Sequence, residues 1–270
     1  CILIDSGNGV DVDELLEEDE YLTGIILTHL HVDHYISLNE NLQDGAEIFT
    51  SSTNAEMLPQ VFEDANKYLT ERADIGKLKR SVTPIEDEQT IFGDISIKTV
   101  PAGHTPGAAA FYLTITSSAG KEQTILITGD FTRRSVAGYP GLPLADVDCI
   151  IFTGASNESF SKNLTEATDT ALQHAVSGSP TIVSASGFEG LHFAYVLGHA
   201  IEEMGKSIGI SIVGQAAELY NSLEYDVPNV TAITEYRASN VISQNEITIS
   251  GPRKPTMGAS KKFLDIIRYD

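Results

Sequence analysis

Short apolar runs alternate with amphipathic stretches along the chain, and their spacing predicts its elements. Ile2-Leu-Ile4 opens as a strand, and Gly24-Ile-Ile-Leu27 is short, continuous and β-branched, the mark of a buried strand. Between them, residues 11–19 have helical spacing with acids in the first turn. Residues 34–42 read as a short helix and 46–50 as a strand. Over 51–72, Met57, Leu58, Val61, Phe62, Ala65 and Leu69 recur at three- and four-residue steps, which predicts an amphipathic helix. Residues 73–89 read as loop. Strands are predicted at 95–100, 108–115, 123–128 and 149–152, with Cys149 a small buried hydrophobe. The pattern then changes to helix 163–176, strand 180–185, helix 188–204, strand 208–213, helix 215–224 and strand 229–234, closed by strand 246–250 and helix 258–268. Such alternation argues for a parallel sheet. The change falls near 155–162 and divides the chain into a first domain over 1–157 and a second over 158–270.

A chain of 270 residues can bury a sizeable core. No apolar run approaches membrane-spanning length and no signal peptide is visible, so a cytoplasmic protein without membrane contact is expected. Two cysteines, Cys1 and Cys149, are too few for a disulfide framework. Because Cys1 leads directly into a strand, the chain is expected to be a fragment with its first strands missing. Charge changes the picture more. There are 38 acidic against 17 basic residues, net −21, a surface that repels polyanions at low salt. A saline cytoplasm would remove that objection, because the Debye length shrinks to about 3 Å at 1 M salt. A halophilic source is therefore expected.

The candidate chemistry centres on Thr28-His-Leu-His-Val-Asp-His34, where three of the seven histidines fall within six positions at a strand's end. In an extended segment, residues two apart point the same way, so His29 and His31 can reach one ion. Asp33 and His34, one turn on, can reach a second. Imidazole with carboxylate suits zinc and its first-row neighbours. His104, in Val100-Pro-Ala-Gly-His-Thr-Pro-Gly107, follows a strand between two glycines and can supply zinc's third nitrogen. Asp130 ends the apolar run 125–129. It is either a cap or turn residue or a carboxylate bridging two cations.

These strand ends, with Asp5 behind them, resemble the metallo-β-lactamase superfamily over roughly residues 1–155. The resemblance implies an α/β fold, the αββα sandwich with metals at one sheet edge. By it, His29, His31 and His104 would bind one zinc, Asp33 and His34 the other, and Asp130 would bridge. Asp33 and Asp130 would thus act in catalysis, and Asp5 would steer the histidine loop from behind. Thr50-Ser-Ser-Thr-Asn-Ala-Glu-Met-Leu58, Ala102–Ala108 and Thr128-Gly-Asp-Phe131 look like the β-CASP nucleases, the group of RNase J and the cleavage-and-polyadenylation endonucleases. That group carries an inserted α/β cap domain, which the second half would supply. Gly251–Ser260 sits where the group has a Gly- and Met-containing loop.

The implied activity is zinc-dependent hydrolysis of a phosphodiester in single-stranded RNA, with a metal-activated hydroxide attacking phosphorus. Arg133 and Arg134 are the best-placed cations for a phosphate, or else a solvated pair, and a homodimer stays open. The sequence departs from the group at Thr153, where the group is acidic, and at Leu191, where it has arginine. The group's late histidines would lie beyond Asp270, leaving the second zinc short of a ligand. Three rivals stand: a superfamily hydrolase of a thioester or lactone, a catalytically weak RNA-processing partner subunit, and a purely structural domain. His174, His192 and His199 are expected to pack or be solvated on helices.

Overall fold

A computed structural model describes residues 1–67, 69–93, 95–153, 158–185, 187–235, 244–251 and 258–269, the side chains of 158–163 and 267–269 excepted. The chain forms two compact units, Cys1–Ala155 and Ser156–Asp270.

In the first unit, four parallel strands make one sheet in the order β1 (Ile2–Ile4), β2 (Gly24–Ile26), β3 (Glu47–Ser51) and β4 (Val82–Ile85). A second sheet runs β5 (Gln89–Phe92), β6 (Ile95–Pro101), β7 (Ala109–Thr116), β8 (Glu122–Ile127) and β9 (Cys149–Ile151), antiparallel except for the β8–β9 pair. The period of two in β7 assigns its faces. Ala109, Phe111 and Leu113 join Ile97 and Ile127 in a core shared with Ile26, Phe49 and Ile85 of the first sheet. Ala110 faces the other way, with Leu126 and Leu142, and Phe131 and Val147 pack on that cluster. The segment after β8 therefore covers the second sheet's outer face.

Helices α1 (Val12–Leu15), α2 (Val32–Tyr35), α3 (Leu38–Asn41), α4 (Ser52–Ala65) and α5 (Ile75–Ser81) connect the first four strands. The segment expected as one helix at 34–42 is two short ones, and the first, at 11–19, shrinks to α1. α4 lies against β3 and β4 and buries Met57, Leu58, Val61 and Phe62, as the apolar spacing predicts. It stops at Ala65 rather than near 72. The Asn66 side chain accepts from Ala73 N and donates to Ala73 O, closing the chain into a loop. The segment 73–89 is not loop alone, since α5 and β4 lie within it.

Cys149 is exposed, not buried. Among the described residues β9 pairs only with β8, and Cys149, Ile150 and Ile151 are all exposed. An apolar run reads alike in a central strand and at an edge, because neighbours and not residue type decide its cover.

The second unit is a parallel sheet in the order β10 (Thr181–Ser184), β13 (Glu246–Ser250), β11 (Gly209–Val213) and β12 (Val230–Ile233). Its helices are α6 (Glu158–Val176), α7 (Gly187–Glu203), α8 (Gln215–Ser222) and α9 (Gly258–Tyr269). The alternating pattern thus gives the parallel sheet it predicts. Within the motif at 251–260, residues 252–257 lie outside the described residues, as do 154–157 of the boundary stretch. No described helix is long and apolar enough to cross a membrane.

Candidate metal centre

The site is assembled where β2 runs out. Leu27 N still bonds the Phe49 carbonyl at 2.9 Å, and the chain stays extended to His31, which caps α2 with φ −78° and ψ 145°. Extended backbone sends His29 and His31 the same way. His29 Nε2 lies 3.1 Å from His31 Nδ1, and His104 Nε2 approaches that same Nδ1 from its own loop at 3.0 Å. At Val32 the side-chain period becomes helical. Val32 and Asp33 turn outward, whereas His34 folds back until its ring centroid is 4.0 Å from that of His29.

Asp130, just beyond β8, completes the cluster, its Oδ2 standing 3.5 Å from His104 Nε2. One donor atom each from His29, His31, His104 and Asp130 fit within 4.8 Å of one another. Ligands about 2.0–2.1 Å from a shared tetrahedral ion lie roughly 3.3 Å apart. The contacts of 3.0, 3.1 and 3.5 Å straddle that spacing. Hydrogen bonding alone does not account for them. A ring nitrogen has one proton or one lone pair, yet His31 Nδ1 faces two others. Asp130 Oδ1 is buried without a hydrogen-bond partner, a carboxylate oxygen left open for a cation. The residues present therefore fit a divalent ion.

A second locus is more open. His34 Nε2 lies 3.8 Å from Asp33 Oδ2 and 3.9 Å from Asp130 Oδ1, with the Asp33 side chain mostly exposed.

Tautomers follow from Asp5. Its carboxylate accepts from Thr28 N at 2.7 Å, Thr28 Oγ1 at 2.8 Å and His34 Nδ1 at 2.7 Å. With the Thr28 hydroxyl proton given to Asp5, Oγ1 is left to accept from His29 Nδ1, 3.1 Å away. The network thereby assigns the protons to Nδ1 of His29 and His34, and both Nε2 lone pairs face the cluster. Burial, and then the neighbouring imidazoles of His34, His31 and His104, push His29 far below its ordinary range. Burial and His31 lower His104 to about 4 against the pull of Asp130. Both rings are free bases at neutral pH, the form that takes a metal. Burial also works against charge on His34, but the Asp5 hydrogen bond and the carboxylates of Asp5, Asp130 and Asp33 hold it above the usual histidine value.

Arg133 and Arg134 open the covering segment with exposed side chains. The residue before them is tied to the His104 loop, since Thr132 N donates to Ala102 O, and Leu142 N closes the covering segment on itself by donating to Thr132 O. His174 is exposed on α6, His199 packs edge-on against Tyr195 and pairs with Glu202, and His192 is partly buried on α7, where burial lowers its pKa. Sequence reasoning missed Thr28, through which Asp5 reaches His29, and Gly7, where a β-carbon would fall 1.8 Å from the Asp33 carbonyl. Gly7 lies two residues after Asp5, but nothing in the local sequence shows what it touches.

Residues 1–161 match the model of the metallo-beta-lactamase superfamily. No curated protein matches. Among solved structures, a protein of unknown function from Enterococcus faecalis V583 is similar with a TM-score of 0.52 at 13% identity, over 94% of this chain and 68% of that one. A beta-lactamase from Chitinophaga pinensis aligns with a TM-score of 0.39 at 18% identity, over 60% of this chain and 70% of that one. With more than half of its residues matched, and with histidines and an aspartate converging as a metal site requires, the chain belongs to the metallo-beta-lactamase superfamily of metal-dependent hydrolases.

Proposed function

We propose that the protein is a zinc-dependent, cytoplasmic nuclease of the β-CASP type that cleaves phosphodiester bonds in single-stranded RNA. The observation that carries this reading is the second unit, a parallel α/β sheet that follows the strand after Asp130, where β-CASP nucleases insert a cap. His29, His31, His104 and Asp130 would hold one ion, and Asp33 and His34, with Asp130 shared, a second. Imidazole and carboxylate donors suit zinc and its first-row neighbours, and zinc is the ion of this reading. Divalent ions in such a pair supply a water acidic enough to ionise near neutral pH and positive charge for the phosphoryl oxygens.

The chain's own residues do the positioning. Asp5 keeps the Nδ1 protons of His29 and His34 in place, so that each Nε2 offers its lone pair. Burial keeps His29 and His104 unprotonated. Arg133 and Arg134, anchored beside the His104 loop, offer exposed guanidinium groups to a phosphate.

The net charge of −21 favours a second reading, hydrolysis of a thioester or lactone, because a polyanion is repelled by such a surface. Incubating the zinc-loaded protein with end-labelled single-stranded RNA and, separately, with a generic thioester distinguishes them. RNA cleavage abolished by a chelator is the expected outcome, and thioester turnover with intact RNA overturns the nuclease reading. Bound zinc with neither turnover supports a partner subunit and likewise overturns it.

A further inference from the structure

The stretch Thr50–Leu58 has a physical task that the metal ligands do not explain. β3 ends and α4 begins there, and three of its side chains reach into the two loops that carry the histidines. Thr50 Oγ1 donates to the Leu27 carbonyl at 2.8 Å. Asn54 Nδ2 donates to the Thr28 carbonyl at 3.2 Å and to Thr50 Oγ1 at 3.1 Å, using both its protons. Ser51 Oγ donates to the Gly107 carbonyl at 2.6 Å and accepts from Asn54 N at 3.2 Å. Asn54, Thr50 and Thr28 are all buried.

The other face of the same amide meets the His104 loop. That loop is closed on itself, with Ala102 N bonded to Ala108 O and Ala108 N to Thr105 O. Gly107 has φ +77°, and a β-carbon there would fall 2.4 Å from Asn54 Oδ1. Asn54 Oδ1 is buried with no hydrogen-bond partner. An unpartnered buried oxygen is costly, and leucine or alanine would avoid the cost. What the amide gains is position. Its nitrogen fixes the residue before His29, while its oxygen is the surface against which the loop holding His104 rests.

We propose that Asn54, aided by Ser51, is a positioning residue of the metal centre, a clasp that sets how far the His104 loop stands from the His29–His31 loop. The proposal rests on the metal-centre reading. His104 supplies the third nitrogen, so small shifts of its loop change the geometry around the ion more than they change the stability of the fold. Asn54 touches neither substrate nor ion and acts only through the two loops.

The test uses the whole chain stripped of metal and titrated with cobalt(II), whose visible absorption reports ligand number and geometry. Wild type should bind with the intense bands of a low-coordinate nitrogen-ligated site. Asn54→Ala should bind more weakly, by up to about 10-fold and so at or below the cost of losing a group bonded directly to a ligand, with altered bands. Ser51→Ala should show a smaller change in the same direction. Asn66→Ala, which opens the 66–73 loop instead, should lower the thermal midpoint and leave the cobalt spectrum as in wild type. Gly107→Ala should weaken binding, and less so when Asn54 is already alanine, because the new methyl then meets no oxygen. Wild-type affinity and bands in both Asn54→Ala and Ser51→Ala overturn the clasp while leaving the metal centre standing. Strictly additive effects of Asn54→Ala and Gly107→Ala overturn it too. No cobalt bound by wild type overturns the metal centre and the clasp together.

Discussion

Asp5 accepts a hydrogen bond from Nδ1 of His34 at 2.7 Å while its backbone sits at φ +57°, a conformation that side-chain-bearing residues rarely adopt. The strain is held because the same carboxylate takes two more donors from Thr28 and, through its hydroxyl, orients His29. One residue outside the metal cluster thus aims two of its imidazoles. Asp5→Ala should weaken metal binding by about 10–100-fold, the range found when groups behind metal ligands are removed. Competition against a chromophoric chelator measures it, and an unchanged affinity would show that the histidines orient themselves.

His31→Ala should remove bound metal, because His31 Nδ1 is the atom both neighbouring rings approach. His174→Ala, on the exposed face of α6, should leave metal content unchanged. Elemental analysis of the two purified variants checks this, and equal contents would refute the ligand assignment.

The histidine loop was legible because its chemistry and its strand are adjacent in sequence. A continuous apolar run stops and imidazoles at a spacing of two begin, so position and direction both follow from backbone geometry. His104 and Asp130 were legible for the same reason, each directly following a strand. The 75–85 segment was not. Gly76, three cations and Pro84 read as loop, yet β4 is the outermost strand of its sheet, where a proline costs no ladder bond on the open side. Nor was Asn54 legible as more than part of a quoted motif, since its partners lie 26 and 53 residues away along the chain. Whether a residue is covered, as with Cys149, is a property of neighbours that a local pattern does not contain.

Metal-free protein should lose stability as the pH falls from 6.5 towards 4. Folded His104 resists protonation until about 4, whereas the unfolded chain takes up the proton near 6.5, so protons favour unfolding throughout that window. The effect of this one ring is on the order of 3 kcal/mol by the bottom of the window. His29 adds to it in the same direction. His34 opposes it in part, because its raised value stabilises the fold below 6.5 and that contribution is lost as the pH rises through its folded value. Urea midpoints measured in chelator between pH 7 and pH 4.5 should fall steadily, and zinc should raise the pH 7 midpoint. A flat profile would contradict the buried, neutral histidines.

Gly7→Ala should be among the most damaging single-methyl changes in the first unit. The new β-carbon would lie 1.8 Å from the Asp33 carbonyl, so α2 must move and carry Asp33 and His34 with it. A loss of about 3 kcal/mol is expected, at the upper end for overpacking. Gly45→Ala is the control, because its β-carbon would meet nothing within 4 Å and only its positive φ resists. Chemical denaturation of both variants decides, and equal losses would mean that the close approach to Asp33 is relieved at no cost.

With a net charge of −21, the fold works against its own repulsion. Thermal midpoints should climb as potassium chloride is raised from millimolar to molar, where the Debye length shrinks to about 3 Å. A midpoint independent of salt would remove the reason to expect a saline habitat.

Zinc-edge X-ray absorption on the reconstituted protein bears most directly on the convergence of residues 29, 31, 104 and 130 on one ion. A first shell of nitrogen and oxygen at about 2.0–2.1 Å, with the outer-shell scattering of several imidazoles, is the predicted result. A shell of oxygen alone, as for a hydrated ion on an acidic surface, or one containing sulfur, would contradict it.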